Sequence, residues 1–402
     1  MSDKPKRLLL GITGGVGAYK AAELARLLVK RGIDVQVVMT QAACQFIGPA
    51  TLQALSGKPV FTDLWDNRID TGMAHIEFTR GVDGVMIAPA SADFLFKLAH
   101  GVADDLLSTL CLARSCPLLA APAMNQQMWS NAATQRNVAQ LRRDGVTLLG
   151  PDYGVQACGE IGMGRMLEPE ALVERIEAAF QPKVLKDLSV LVTAGPTFEA
   201  IDAVRGITNR SSGKMGFAVA RAAHEAGARV TLVAGPTCLP PLSDATVLPV
   251  ESAQQMLDAV ERAIDDVDIF ISVAAVADYY VLNPSEQKIK KDAHILTLEL
   301  APNPDIVANI VSRPNAPFCV GFAAESENLY EFAELKRRRK NLPLLAANLV
   351  QDAVGTDDSE LVLFDDEGAH PLARAPKQVL ARQLIAHIAK LFAAHQQSPS
   401  AP

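Results

Sequence analysis

The sequence predicts an α/β protein of two doubly wound domains, and three observations predict it. Residues 7–39 run as an apolar strand, a glycine-rich turn, an amphipathic helix and a second apolar strand. The same order restarts near residue 188, where strands at 188–193 and 229–234 flank a helix at 213–226. The chain has 402 residues, 49% apolar and 21% charged, enough to bury two full cores. Strands alternating with helices of this length give parallel sheets covered on both faces, a Rossmann-like architecture.

In the first domain, RLLLGITGGVG at 7–17 enters a turn, helical periodicity follows over 18–31, and IDVQVVM returns as a strand at 33–39. Further strands fit 82–88, 117–121 and 146–149. Helices fit 91–99, 102–114, 132–144 and 168–180, the last with Pro169 in its first turn. The pattern restarts at QPKVLKDL, so the expected domains are 1–188 and 189–402. Later strands fit 267–273, 318–322 and 344–350. A hairpin fits 359–372, and a helix fits 376–394 ahead of a polar tail.

Net charge is −7, which gives no general attraction to nucleic acid or anionic membrane, and aromatic residues are only 5%. The N-terminal MSDKPKRLLLGITGG has too short an apolar stretch for a signal peptide. No apolar run nears the ~18 residues of a membrane span, so a cytoplasmic protein is expected. Six scattered cysteines, without any Cys-x-x-Cys, imply neither a disulfide framework nor a zinc site, and the seven histidines show no metal-ligand spacing.

The turn Gly11-Ile-Thr-Gly14-Gly15-Val-Gly17 places backbone N–H groups and a helix N-terminus where a phosphate would sit. It is not the dinucleotide fingerprint, because the third glycine position is Lys20 and the second strand ends Val38-Met39-Thr40 without an acid. That weakens NAD and leaves mononucleotides such as FMN, while a plain strand–helix turn stays open. Glycine loops alone also leave a nucleotide-dependent oxidoreductase as an alternative.

Two uncommon strings carry the chemistry. PAMNQQMW at 122–129 sets an amide, Asn125, on a turn after an apolar run. QACGEIGMGRM at 156–166 sets a thiol, Cys158, in a glycine-laced segment able to close as a lid. An amide beside a thiol suggests carboxylate recognition and proton delivery.

These strings, with His75 in MAHIEF and SADFLFKLAHGVADDLLSTLCLA at 91–113, resemble the flavoprotein cysteine-decarboxylase family. The second half resembles the phosphopantothenate–cysteine ligase domain through AGPTFEAIDAVRGITNRSSGKMG (194–216), AAVADY, KIKKD, NPDIV, GFAAE and KRRRKN. As a whole the chain is similar to the bacterial bifunctional family of coenzyme A biosynthesis that unites both activities. Asp104 in GVADDL departs from the asparagine of many relatives.

The resemblance implies FMN as cofactor in the first domain. A cysteinyl carboxylate leaves as carbon dioxide once its CH2–SH group is oxidised to a thioaldehyde, and a flavin takes and returns the hydride. His75 is then the base at the thiol, since an imidazole titrates near about 6.5. Asn125 binds the carboxylate without adding charge. Cys158 is the proton donor, because a thiol of pKa about 8.5 stays mostly protonated at neutral pH. Thr13, Gly14 and Gly15 are expected at the flavin phosphate, with Thr40 and Ser91 at neighbouring strand ends. A non-catalytic flavin-binding regulatory subunit is the third reading, against which the joint presence of His75, Asn125 and Cys158 speaks.

For the second domain the resemblance implies CTP and Mg2+, an acyl-cytidylate of 4′-phosphopantothenate, and attack by L-cysteine. Lys288 stabilises charge during acyl transfer, and Asn209 holds the acyl-cytidylate or the phosphopantothenate. Ser272, Val273, Ala274, Asn303, Pro304, Asp305, Ile306 and Phe322 frame the nucleotide, and Asp278 is expected at the nucleotide or its Mg2+. Lys336 and Lys340 share one helix face at the triphosphate. The family further implies trimeric contacts between first domains and dimeric contacts between second domains, hence a larger homo-oligomer such as a dodecamer.

Overall fold

The computed structural model describes residues 5–66, 68, 78–242, 244–291, 295–349, 351 and 356–397. The chain divides into two compact units, Met1–Phe180 and Gln181–Pro402.

The first unit is wound on a five-stranded parallel sheet of order β2-β1-β3-β4-β5. Its strands are β1 (Arg7–Ile12), β2 (Asp34–Met39), β3 (Gly84–Ala90), β4 (Leu118–Pro122) and β5 (Thr147–Leu148). β3 and β4 are buried along their whole length, as expected of strands covered on both faces. Helix α1 (Ala18–Lys30) buries Ala18, Ala21, Leu24, Ala25 and Leu28, the i, i+3, i+4 stripe of an amphipathic helix. α2 (Pro49–Ser56) follows β2.

α3 (Ala92–His100) and α4 (Leu106–Ala113) follow β3. The expected helix at 102–114 is corrected to 106–113. Gly101, at φ +65°, closes α3, and Asp105 caps α4 in a reciprocal capping box with Ser108. Such a cap contributes about 1 kcal/mol, enough to place the boundary at Asp105. Beyond β4 come α5 (Gln126–Ser130) and α6 (Ala132–Arg143). A hairpin of β6 (Asp152–Val155) and β7 (Ile161–Arg165) and helix α7 (Pro169–Ala179) complete the unit. Apolar cores lie on the two faces of the sheet, one around Leu8, Leu10 and Leu24, the other around Leu9, Val85 and Leu107.

The second unit has an eight-stranded sheet of order β12-β11-β8-β13-β16-β17-β18-β19. Strand β8 is Ser189–Ala194, after which β9 (Phe198–Ala200) and β10 (Gly206–Thr208) form a small hairpin leading to helix α8 (Lys214–Glu225). Next come β11 (Arg229–Ala234), β12 (Thr246–Pro249), α9 (Ala253–Ala263) and β13 (Ile269–Ser272). Strands β14 (Tyr279–Val281) and β15 (Leu300–Pro302) pair with each other outside the main sheet and precede α10 (Ile306–Val311). β16 (Phe318–Glu325), α11 (Leu329–Arg339) and β17 (Leu344–Leu349) end the parallel part. The hairpin β18 (Asp358–Asp365) and β19 (Gly368–Pro376) adds two antiparallel strands, and α12 (Lys377–Gln397) packs back on the sheet.

In each sheet the strand order reverses beside the first strand. The crevice therefore opens between β1 and β3 in the first unit and between β8 and β13 in the second. Ligands of open α/β sheets bind outside the carboxyl ends of the strands at such a point.

Candidate functional site

The amide of Asn125 is oriented by its own helix. Asn125 caps α5, and its Oδ1 accepts the amides of Gln127 at 2.8 Å and Met128 at 3.3 Å. The carbonyl end is thereby fixed inward, which leaves the NH2 end to face a ligand. That nitrogen donates to the Glu160 carboxylate and lies 3.7 Å from Cys158 Sγ. Gln127 Nε2 reaches the other Glu160 oxygen at 3.4 Å. Two neutral amides thus hold a carboxylate, and that carboxylate is itself 3.7 Å from the Cys158 sulfur.

Cys158 sits at the tip between β6 and β7, closed by Gln156 N–H to Glu160 O at 2.8 Å and Gly159 N–H to Gln156 O at 2.9 Å. The expected lid is a docked hairpin. Met124 N–H donates to Gly164 O at 2.9 Å, and Gln126 N–H donates to Gln156 Oε1 at 3.0 Å. Two of its glycines serve close approach: a Cβ at Gly162 would lie 1.9 Å from Gln126 Oε1, and one at Gly164 would lie 2.3 Å from Met124 O. Cys158 is exposed, whereas burial pushes the thiols of Cys111 and Cys319 up to about 12 and leaves them inert. Glu160 was not singled out from sequence, although it stands two residues from the cysteine. His75 lies outside the described residues.

At the first crevice, Thr13 is 1% exposed and its hydroxyl is engaged inside the protein. It donates to Pro89 O at 2.7 Å and accepts from Ser91 N–H at 3.0 Å, which ties the ends of β1 and β3 together. The Thr13 hydroxyl is thus committed to two backbone partners beside the glycine turn. The hydroxyls of Ser91 and Thr40 accept from Phe94 N–H and Ala43 N–H at 3.2 Å each. A Cβ on Gly14 would lie 2.6 Å from that of Ala42, while Gly15 faces open space. α1 begins at Gly17 without a side-chain cap, so its first N–H groups and dipole favour an anion at this turn.

In the second unit the loop 273–278 after β13 is the hub. Thr193 Oγ1 accepts Ala274 N–H at 3.2 Å, and buried Thr197 Oγ1 accepts Ala277 N–H at 2.9 Å. Asn209 donates to the carbonyls of Ala275 and Val276 at 3.0 and 3.1 Å, and Asn303 donates to Ala277 O at 2.9 Å. Asn303 N–H also donates to Asp278 O at 2.8 Å, and the Asp278 side chain is exposed. Ser272 is nearly buried at the end of β13, with Val273 and Ala274 half-buried beyond it. α8 starts close by, at Gly213 with φ +77° and no side-chain cap.

Asp305 caps α10, and its carboxylate pairs with Lys340 at 2.7 Å. Burial pushes this carboxyl up, but Lys340, the Ala308 amide and the nearby Lys336 charge hold it below the usual range. Lys340 lies just past the end of α11, so it pairs with Asp305, while Lys336 inside the helix stands 3.9 Å from Glu325. Ile306 does not join them, because it is 4% exposed and its side chain belongs to the apolar core. Phe322 likewise packs against the core of the other face, and Pro304 is half-buried. Lys288 is exposed, and its neighbour is clamped: Ile289 N–H donates to Asp202 Oδ2 at 3.1 Å, and Arg205 donates to Ile289 O at 2.7 Å. Asp202 and Arg205 were missed individually, since a carboxylate and a guanidinium three apart read as a local pair.

Residues 1–181 match the flavoprotein family, and residues 185–392 match the family described as DNA/pantothenate metabolism flavoprotein C-terminal domain. The chain is 49% identical over 393 residues to the coenzyme A biosynthesis bifunctional protein CoaBC of Vibrio vulnificus, covering 96% of this chain and 98% of that one. It is 46% identical to the Escherichia coli protein of the same name over 396 residues, covering 96% and 98%. The Bacillus subtilis counterpart is 40% identical over 370 residues, covering 90% and 91%. No helix among the described residues is long and apolar enough to cross a membrane.

Proposed function

The chain belongs to the family of bifunctional coenzyme A biosynthesis proteins, and on that premise we propose how its two units divide the chemistry. The second unit joins L-cysteine to 4′-phosphopantothenate through an acyl-cytidylate formed from CTP. The first, a flavoprotein domain, decarboxylates the resulting 4′-phosphopantothenoylcysteine to 4′-phosphopantetheine.

One observation carries the first assignment: the amides of Asn125 and Gln127 grip a carboxylate, that of Glu160, beside the Cys158 thiol. The substrate carboxylate takes that place on Asn125. A neutral amide orients it without the charge that would oppose its departure. FMN fits the crevice between β1 and β3, with its phosphate on the Gly14–Gly15 turn and the start of α1, and Thr40 and Ser91 alongside. When bound, the flavin supplies the hydride acceptor and donor. Thr13 holds the two strand ends at the spacing this requires. His75 removes the thiol proton of the substrate. Cys158 gives a proton to the carbon that has lost carbon dioxide, and the docked hairpin holds that thiol beside Asn125.

In the second unit, loop 273–278 with Asn209 and Asn303 carries the nucleotide, and Lys336 and Lys340 face its phosphates. Asp278 offers an exposed carboxylate of the kind Mg2+ prefers. Lys288 neutralises charge as the cysteine amine displaces CMP, while the Asp202–Arg205 clamp fixes its segment. The protein works in the cytoplasm as a homo-oligomer with trimeric contacts among first units and dimeric contacts among second units. Exposed Tyr153, Val155 and Ile161 on the hairpin give the first unit an apolar face for another copy.

The test is mass spectrometry of products from 4′-phosphopantothenate, cysteine, magnesium and either CTP or ATP. Release of 4′-phosphopantetheine with CTP supports the proposal. Absence of both the amide and the decarboxylated product sinks it.

A further inference from the structure

Asp365 ends β18, His370 lies in β19 and His387 lies on α12. Leu363 is opposite His370 in the hairpin register, so Asp365 and His370 project from one face. Leu361 and Leu363 on that face are buried with Leu380, Leu384 and Ile388 of α12, which brings His387 over it. The Asp365 side chain is 1% exposed, and each of its oxygens meets one imidazole: Oδ1 to His370 Nε2 at 2.9 Å, and Oδ2 to His387 Nε2 at 2.7 Å. The two rings are 5.0 Å apart, and one ligand atom from each of the three residues lies within 4.8 Å of the others.

We propose that Asp365, His370 and His387 form a binding site for a divalent ion of the zinc class, which pins the C-terminal helix to the terminal hairpin. Two imidazoles and one carboxylate suit Zn2+ and supply too few oxygens for Ca2+ or Mg2+. Binding requires each neutral imidazole to carry its proton on Nδ1, which frees Nε2 for the metal, and the ion takes the place of the two hydrogen bonds to Asp365. The carboxylate is already oriented by an outer contact, since Glu367 N–H donates to its Oδ1 at 2.8 Å. His370 is 35% exposed, which opens one side of the cluster to a water as fourth ligand. The acidic turn residues are already paired, Asp366 with Arg337 at 2.8 Å and Glu367 with Lys390 at 3.3 Å, so the cluster itself supplies the ligands.

The full chain, stripped with a chelator, is titrated with Co2+ and separately with Zn2+, alongside the His370→Gln and His387→Gln variants. The wild type should show the intense visible absorption of low-coordinate Co2+ and a rise in melting temperature with Zn2+. Each variant should lose both, with Zn2+ affinity falling by more than the roughly 10–100-fold that loss of an outer partner costs. If folded variants of unchanged circular dichroism bind Co2+ and Zn2+ as the wild type does, or the wild type binds neither, the cluster is only a hydrogen-bonded triad and the proposal fails.

Discussion

The amide nitrogen of Asn125 stands 3.7 Å from the sulfur of Cys158, although 33 residues separate them in the chain. A cap holds the first and a hairpin tip holds the second. Their proximity rests on two backbone donors, Met124 N–H and Gln126 N–H, which bind the hairpin to the turn.

Replacing Cys158 with serine should stall the first unit after loss of carbon dioxide and leave ligation intact. The proton-transfer step should slow by about 10²–10⁴-fold. Lys288→Gln should do the converse. Single-turnover mass spectrometry separates the two, and loss of both reactions from either folded variant would refute the division of labour.

Gly164→Ala tests the docked hairpin. Gly164 has φ +139°, and an added Cβ would lie 2.3 Å from Met124 O. The hairpin must lift, and displacement of a catalytic group by about 1 Å costs on the order of 10² in rate. Decarboxylation should fall by that factor while the ligase rate, measured as CMP release, is unchanged.

Asp202→Asn tests the clamp on the Lys288 segment. The Arg205 guanidinium and backbone amides hold the Asp202 carboxyl well below its usual range. A carboxyl lowered by folding stabilises above its unfolded pKa of about 3.9, and that contribution is lost as pH falls through the lower folded value. The melting-temperature gap between wild type and variant should therefore stay constant from neutral pH down to about 4 and close only below it. A gap that closes between pH 5 and 7 would show that another group holds the segment.

Lys340→Gln should raise KM for CTP by roughly 10- to 100-fold, the worth of one charge-assisted hydrogen bond, with decarboxylation unaffected. The variant also leaves Asp305, its 2.7 Å partner, without that cation. The double variant with Asp305→Asn separates the two effects: recovery of KM would mean that the exposed carboxylate, and not lost phosphate contact, was the cause.

The residues alone determined the doubly wound architecture and the strings around Asn125, Cys158, Asn209 and Lys288. These follow from hydrophobic period, from glycine at turns and from local spacing, all short-range properties of the chain. Tertiary structure decided what depends on residues far apart in sequence. Thr13 spends its hydroxyl on Pro89 and Ser91, Ile306 turns into the core, Glu160 occupies the Asn125 amide, and Asp202 reaches Ile289. A hydroxyl or carboxylate satisfies its hydrogen bonds with whichever partner packing brings near, and sequence spacing does not encode that choice.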